Sequence, residues 1–179
     1  MTSGFTKLDE VALVEGKIVT FARVTVVGPD GVEFTREVLR HPGVVAVVPL
    51  HDDGSVTLVR QYRVAIDREV LELPAGTRDI DGEAPAVAAG RELAEEAGLA
   101  ARELIELTTY FVAPGLTDEA IVLYLATGLS DVPTDRQGPE ELAMTVERIP
   151  LAEALTMVED GRITDAKTII GLTLTARRE

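Results

Sequence analysis

Three closely spaced glutamates are the residues of this chain best suited to chemistry. Glu92, Glu95 and Glu96 lie within the alanine-rich segment RELAEEAGL. At the helical period their carboxylates share one arc. The predicted opposite side carries Val87, Gly90, Leu93, Ala94 and Ala97. Glu92 and Glu96 are like charges four residues apart, which is mildly destabilising, and a bound cation would remove this cost. The pattern predicts a site for a hard divalent cation such as Mg²⁺; the alternative is a solvated acidic face.

Neighbouring residues could complete such a site. Arg91 precedes Glu95 by four residues, so its guanidinium can pair with that carboxylate and hold it in place. Glu83 falls in the predicted first turn of the helix, where the dipole favours a carboxylate. The preceding loop contains Pro74-Ala75-Gly76, and the backbone freedom of Gly76 could bring a carbonyl close to the glutamates. We therefore expect a metal site built from a helix and the loop before it.

Hydrophobic periodicity and turn residues predict the elements that position these groups. Two hairpins are expected, Lys17–Val27 with Phe34–Arg40 and the more deeply buried Val44–Leu50 with Ser55–Tyr62. Further strands are expected at Val70–Leu73, Leu104–Val112, Ala120–Ala126 and Ala143–Ile149. The helices are the glutamate helix, with Pro85 in its first turn and Gly98 past its end, then Leu151–Asp160 and Ala166–Arg177. Residues 130–140 read as a mobile loop. Strands outnumber helices, so the class is α+β with a mixed sheet.

Composition narrows the possible functions. The chain has 179 residues, no cysteine and a formal net charge of −14. The absence of cysteine excludes disulfides, thiolate metal sites and a cysteine nucleophile. The charge repels polyanions, so no nucleic acid partner is expected, and a phosphate ligand would need local cations. Neither a signal peptide nor a membrane span is recognisable, which predicts a cytoplasmic protein without a membrane partner.

The glutamate segment resembles a known family pattern. Gly76, Glu83 and Arg91–Leu99 are similar to the Nudix box, G-x5-E-x7-R-E-U-x-E-E-x-G-U with U aliphatic, except that six residues separate Gly76 from Glu83. The resemblance implies the Nudix fold, an α/β/α sandwich around a mixed β-sheet, with a small N-terminal antiparallel β-hairpin or sheet subdomain. It also implies hydrolysis of a nucleoside diphosphate linked to another group. We expect residues 1–40 to form the N-terminal, dimer-forming subdomain and residues 41–179 the hydrolase domain.

Further segments are similar to the ADP-ribose pyrophosphatase subfamily. These segments are Glu72–Gly76, Ala113–Glu119 with Pro114 fifteen residues after Leu99, and Asp165–Thr168. This resemblance implies a homodimer that hydrolyses ADP-ribose to AMP and ribose 5-phosphate with Mg²⁺, for which Mn²⁺ could substitute. Two alternatives stay open: a pyrophosphatase for another sugar nucleotide, such as ADP-glucose or GDP-mannose, and a non-catalytic nucleotide sensor on the same scaffold.

The resemblance also implies roles for individual residues. The metal ligands would be Glu92, Glu96, Glu95 and the Ala75 carbonyl, with Arg91 orienting the glutamates and Glu83 as the outer carboxylate. Glu140 or Glu141 would supply the catalytic base from the loop before the last strand. The substrate would contact Arg36, Arg63, Glu72, Pro114 and Gly115. Without the resemblance, the two arginines read as strand-face residues in surface ion pairs, Pro114-Gly115 as an ordinary turn, and Glu140-Glu141 as solvated charge.

Overall fold

Residues 4–178, the part of the chain that the computed structural model describes, form ten strands, four α-helices and a short 3-10 helix at Val64–Ile66. The strands are β1 (Thr6–Glu15), β2 (Thr20–Val27), β3 (Glu33–Arg40), β4 (Val44–Pro49), β5 (Ser55–Arg63), β6 (Arg68–Glu72), β7 (Ala75–Thr77), β8 (Leu99–Phe111), β9 (Ala120–Asp131) and β10 (Thr145–Pro150). The helices are α1 (Pro85–Ala97), α2 (Gly138–Leu142), α3 (Leu151–Glu159) and α4 (Ala166–Ala176). None of the described helices is long and apolar enough to cross a membrane.

The chain divides into two compact units. Among the described residues, the first contains 4–43 together with Phe111–Ala120, and the second contains Val44–Tyr110 and 121–178. In the first unit, β2 and β3 pair antiparallel from Val27↔Glu33 to Thr20↔Arg40, which confirms the predicted N-terminal hairpin. β1 adds a third antiparallel strand on the other side of β2. Sequence reasoning missed β1 because nearly all of its side chains are exposed and no buried face marks it as a strand.

The second unit contains two sheets. One has the order β7-β4-β9-β8, with β4 antiparallel to β7 and parallel to β9, and is therefore mixed. The other is the antiparallel sheet β10-β5-β6. The predicted hairpin of β4 and β5 is wrong, because the two strands belong to different sheets. Its turn does form, with His51 N donating to Ser55 O at 2.9 Å and an isolated bridge between Leu50 and Val56, and the strands then diverge.

β4 separates two hydrophobic clusters. Ala46 and Val48 face a cluster that includes residues of α3 and α4, such as Ala154 and Leu172. Val45 and Val47, on the opposite face, pack with residues of α1. Burial on both faces explains why β4 reads as a continuous apolar run rather than an alternating one. Helices on both sides of a mixed sheet confirm the predicted α+β class and α/β/α layering.

Helix α1 begins and ends as its sequence predicts. Pro85 occupies the first turn, and Gly98 terminates the helix in the left-handed conformation with φ 68°. Two details were predicted wrongly. Glu83 lies before the N-cap residue Ala84 rather than in the first turn, and Val87 is 61% exposed rather than part of the core face. The core face consists of Ala88, Ala89, Leu93 and Ala97.

The segment predicted to be a mobile loop contains regular structure. Strand β9 continues to Asp131, and α2 begins at Gly138. Between them, the Val132 amide donates to Gly98 O at 2.9 Å and the Asp135 amide to Glu95 O at 3.3 Å. The segment therefore packs along the C-terminal end of α1, where helix carbonyls lack partners within the helix.

Candidate active site

The glutamates of α1 lie against the backbone of β7. Glu92 and Glu96 are buried, and the Ala75 amide donates to Glu96 Oε2 at 2.9 Å. The Glu92 carboxylate lies so close to Gly76 that an added Cβ would be 1.9 Å from its Cδ. A side chain at position 76 would displace this carboxylate. Gly76 is therefore required for space, and not for the unusual backbone angles that the sequence suggested, since its φ is not positive.

Arg91 links three carboxylates through one guanidinium. Its Nε and Nη2 each donate to Glu83 at 3.1 Å, and Nη1 donates to Glu92 at 2.7 Å and to Glu95 at 3.1 Å. The predicted pair between Arg91 and Glu95 is confirmed. Glu83 holds the far side of the guanidinium and so directs its remaining edge toward the glutamates of α1.

Burial makes the two inner carboxylates unusually basic. It raises the pKa of Glu92 to about 7, and the negative charges of Glu95 and Glu141 add to the effect. It raises the pKa of Glu96 to about 8, to which Glu92 and Glu141 also contribute. Ionising both groups near neutral pH is costly because desolvation and like charges disfavour the second negative charge.

This donor set fits a divalent cation. Carboxylate oxygens are the ligands that Mg²⁺ prefers, and a cation would offset the cost of holding Glu92 and Glu96 ionised. As the side chains stand, no three histidine or acidic residues within residues 4–178 are gathered tightly enough to hold a metal ion. The reason is visible in the hydrogen bonds, because Arg91 draws Glu92 and Glu95 to itself while Glu96 turns to the Ala75 amide.

A second network of charged groups lies at the end of β6. Glu72 is fully buried and accepts two hydrogen bonds from Arg63, at 2.7 and 2.8 Å, and one from Lys167. Lys167 also donates to Asp165 at 3.0 Å. Asp165 caps α4 by accepting from the Thr168 amide at 2.9 Å, as aspartate commonly does at the N-cap position. The charge of Arg63 lowers the pKa of Glu96, so this network acts electrostatically on the glutamates of α1.

Glu140 and Glu141 lie on the short helix α2 and differ in their surroundings. Glu140 is exposed, whereas Glu141 is half-buried and accepts a hydrogen bond from the Gln137 amide at 2.6 Å. The charge of Glu141 raises the pKa of both Glu92 and Glu96. Glu141 therefore acts electrostatically on the α1 glutamates.

Three predicted substrate residues belong to the first unit. Arg36 on β3 stacks over the Phe34 ring at 4.7 Å and donates to the Thr35 carbonyl at 2.8 Å. Pro114 and Gly115 lie in the segment that joins β8 to β9, where the Leu39 amide donates to Leu116 O at 2.9 Å. Pro114 lines a cavity of about 210 Å³ whose other lining residues are Val38, Arg40, Phe111, Leu116, Thr117 and Asp118.

The sequence did not indicate the roles of two positively charged side chains of the second unit, Lys167 and Arg136. Lys167 lies in a segment that is similar to the subfamily, but its local sequence does not indicate burial against Glu72. Arg136 lies in the segment predicted to be a mobile loop, although its guanidinium contacts the end of α1. The segment around Arg136 is rich in Pro, Gly and Asp and shows no hydrophobic periodicity, so the sequence does not indicate that Arg136 contacts a helix.

Comparison with known proteins agrees with this geometry. A family model described as NUDIX domain matches residues 39–170. An ADP-ribose pyrophosphatase of Mycobacterium tuberculosis is 40% identical over 94% of this chain and 81% of its own length. An ADP-ribose pyrophosphatase of Bacillus subtilis is 37% identical over 86% of this chain and 82% of its own length. The crystal structure of an ADP compounds hydrolase superimposes with a TM-score of 0.84 and 26% identity, covering 97% of this chain and 93% of that one. The chain belongs to the Nudix hydrolase family.

Proposed function

We propose that this enzyme hydrolyses the diphosphate bond of ADP-ribose, giving AMP and ribose 5-phosphate, and that it depends on Mg²⁺. The observation that carries the proposal is the crowding of ionisable carboxylates on α1 against Gly76, with Glu141 of α2 nearby. The names of the two relatives at 37–40% identity support the choice of ADP-ribose.

The α1 glutamates would hold the metal. Glu92, Glu95 and Glu96 supply carboxylate oxygens, and the Ala75 carbonyl, beside the amide that already contacts Glu96, supplies a neutral one. Bound Mg²⁺ would lower the pKa of a water molecule and neutralise charge that develops on the diphosphate. Arg91 keeps Glu92 and Glu95 oriented, and Glu83 anchors Arg91.

Glu141 is the better candidate for the catalytic base. A base must lie within reach of the attacking water, which would be close to Glu92 and Glu96. The charge of Glu141 acts on both of these residues, and Glu141 is half-buried whereas Glu140 is exposed. Glu141 would therefore accept the proton of the water as the bond to phosphorus forms.

Arg63 would contact the diphosphate. Its charge acts on Glu96, and its guanidinium is held by a two-point contact with the buried Glu72, which leaves Nη1 available for a phosphate oxygen. Glu72 would then act by orienting Arg63. In the first unit, Arg36, Pro114 and Gly115 stay proposed substrate contacts, and Pro114 lines a cavity of that unit.

A homodimer that associates through the N-terminal sheet is also part of the proposal. Leu8, Val11, Val14 and Ile18 are each at least half exposed, which leaves an apolar edge on the first unit. A second copy would cover this edge. Light scattering should give the mass of a dimer for the wild type and of a monomer for Val11→Lys; a monomeric wild type would contradict the dimer.

A substrate panel tests the activity directly. Purified enzyme with Mg²⁺ would be incubated with ADP-ribose, ADP-glucose, GDP-mannose, NADH and a dinucleoside polyphosphate, and nucleotide products would be quantified by chromatography. We expect the highest kcat/KM with ADP-ribose and loss of activity in EDTA. A clear preference for another sugar nucleotide would show that this compound, and not ADP-ribose, is the substrate. If no product forms with either Mg²⁺ or Mn²⁺, the proposed activity is wrong.

A further inference from the structure

Arg136 joins two parts of the second unit that the proposed chemistry must bring together. Its Nε and Nη2 donate to the carbonyl of Glu96 at 3.2 and 3.0 Å, and its Nη1 donates to the carbonyl of Met144 at 2.7 Å. Glu96 lies in the last turn of α1, and Met144 immediately precedes β10. One guanidinium thus contacts the glutamate helix and the chain beyond α2.

The chain between these contacts carries the candidate base. Arg136 precedes α2 and Met144 follows it, so the hydrogen bond from Arg136 to Met144 closes the segment that contains Glu141 into a loop. Within that loop, the Gln137 amide donates to Glu141 and the Met144 amide donates to the Glu141 carbonyl at 3.1 Å. The position of α2 therefore depends on where Arg136 is held.

The anchor on α1 is the same residue that supplies the innermost carboxylate. The side chain of Glu96 points toward Ala75, while its main-chain carbonyl accepts from Arg136. This carbonyl is one of the last four of the helix, which lack partners within the helix, and it would otherwise need water. The Asp135 amide satisfies the preceding carbonyl, that of Glu95, at 3.3 Å.

We propose that Arg136 is a positioning residue that sets the distance between Glu141 and the α1 glutamates by bridging the carbonyls of Glu96 and Met144. The inference rests on the proposed function for its catalytic consequence, but the bridge itself is a property of the fold. A planar guanidinium can donate to two carbonyls at fixed angles, which a lysine ammonium on a flexible stem cannot reproduce. A cation that only stabilises the C-terminal end of α1 would need no such geometry.

Arg136→Lys separates these two roles, because it keeps the positive charge at the helix end and removes the two-carbonyl bridge. Arg162→Lys is the matched control, since Asp160, in the turn between α3 and α4, is the only hydrogen-bond partner of the Arg162 side chain within residues 4–178. Arg136→Gln would be measured in parallel. The readouts are kcat and KM for ADP-ribose, the melting temperature, and hydrogen exchange of the Ala143 and Met144 amides, both of which are bonded within the loop.

We expect Arg136→Lys to lower kcat by about 10²-fold, as displacement of a reacting group typically does, with KM and melting temperature nearly unchanged and faster exchange at Ala143 and Met144. The Arg162→Lys control should match the wild type. Wild-type kcat and exchange in Arg136→Lys would overturn the proposal, as would a loss of activity explained by a lower melting temperature alone. If the wild type hydrolyses no substrate, the proposed function fails. The hydrogen-exchange measurement then still tests whether Arg136 holds the loop that contains α2. If Arg136→Gln does not fold, Arg136→Lys carries the test.

Discussion

The two charged networks of the second unit are built from similar residues and differ in the balance between cationic side chains and carboxylates. In the balanced network, Arg63 and Lys167 meet Glu72 and Asp165, so that two cations face two carboxylates. In the acid-rich network of Glu83, Glu92, Glu95 and Glu96, Arg91 is the one cation among residues 4–178 that forms ion pairs with the carboxylates. Both networks include buried carboxylates, but only the balanced one is complete without a ligand.

Burial has opposite consequences in the two networks. Glu72 is enclosed by two cationic partners, and each of its oxygens accepts hydrogen bonds, so the cost of desolvating it is met within the protein. Glu96 is also buried, yet its direct partner is a neutral amide, and its pKa rises to about 8 because of desolvation first and like charges second. A buried network with more carboxylates than cationic side chains favours the binding of a cation. A network in which the charges are matched needs no ligand to neutralise it. We therefore expect the acid-rich network to serve chemistry and the balanced network to serve positioning.

The largest expected effect is on turnover, through Glu96→Gln. Glutamine keeps an oxygen for the Ala75 amide but removes the charge that would hold metal. We expect kcat for ADP-ribose to fall by a factor of about 10³ or more, the range seen when an electrostatic contact to the transition state is lost. The melting temperature of the metal-free protein should not fall, because glutamine is neutral and of similar size and burial already disfavours the charged form of Glu96.

Glu103→Gln on β8 is the control for that substitution, since this glutamate is exposed and belongs to neither network. It should retain wild-type turnover. Wild-type turnover in Glu96→Gln itself would show that the acid-rich network is an ordinary acidic patch.

The balanced network should instead control stability. Lys167→Met keeps an apolar stem of similar length but leaves Glu72 and Asp165 without their shared cation. Removing one partner of a buried ion pair is expected to lower the free energy of unfolding by about 3 kcal/mol. Urea denaturation followed by circular dichroism measures this change. A loss below about 1 kcal/mol, as exposed pairs give, would show that the network is solvated rather than buried.

Metal should stabilise the protein through the acid-rich network alone. At a Mg²⁺ concentration about 100 times its Kd, binding adds about 2.7 kcal/mol to the free energy of unfolding. For a chain of this size, that corresponds to a rise in melting temperature of about 5–10 °C. We expect the rise in the wild type and in Lys167→Met, and its absence in Glu96→Gln. NaCl at equal ionic strength is the control, and an equal rise in Glu96→Gln would place the metal elsewhere.

Local sequence signals predicted one network better than the other. The pair of Arg91 and Glu95 follows from helix spacing, and Pro85 and Gly98 mark the ends of α1, so most of the acid-rich network lies within a single readable element. The balanced network joins Glu72 to Lys167 across 95 positions of the chain. No periodicity connects residues that far apart, because their contact depends on how α4 packs against the sheets.

The same limit explains the error at β4 and β5. The turn residues His51–Gly54 predict a turn correctly, but a turn does not determine which strands continue to pair beyond it. β4 takes β9 as its parallel neighbour, more than 70 residues later in the chain, because both of its faces are buried. Sequence patterns show that a strand is buried and leave its distant partner open.

The smallest expected effect comes from the edge of the acid-rich network, at Glu83. Its carboxylate binds Nε and Nη2 of Arg91 and turns the guanidinium so that only Nη1 reaches Glu92 and Glu95. In Glu83→Gln this two-point contact is weakened, and the freed guanidinium can compete with metal for the same carboxylates. We expect the apparent Mg²⁺ constant in the ADP-ribose assay to rise about 10-fold, as for other groups that orient metal ligands, with kcat at saturating Mg²⁺ little changed. An unchanged Mg²⁺ dependence would mean that Arg91 does not compete with metal, and that the surplus of carboxylates alone determines affinity.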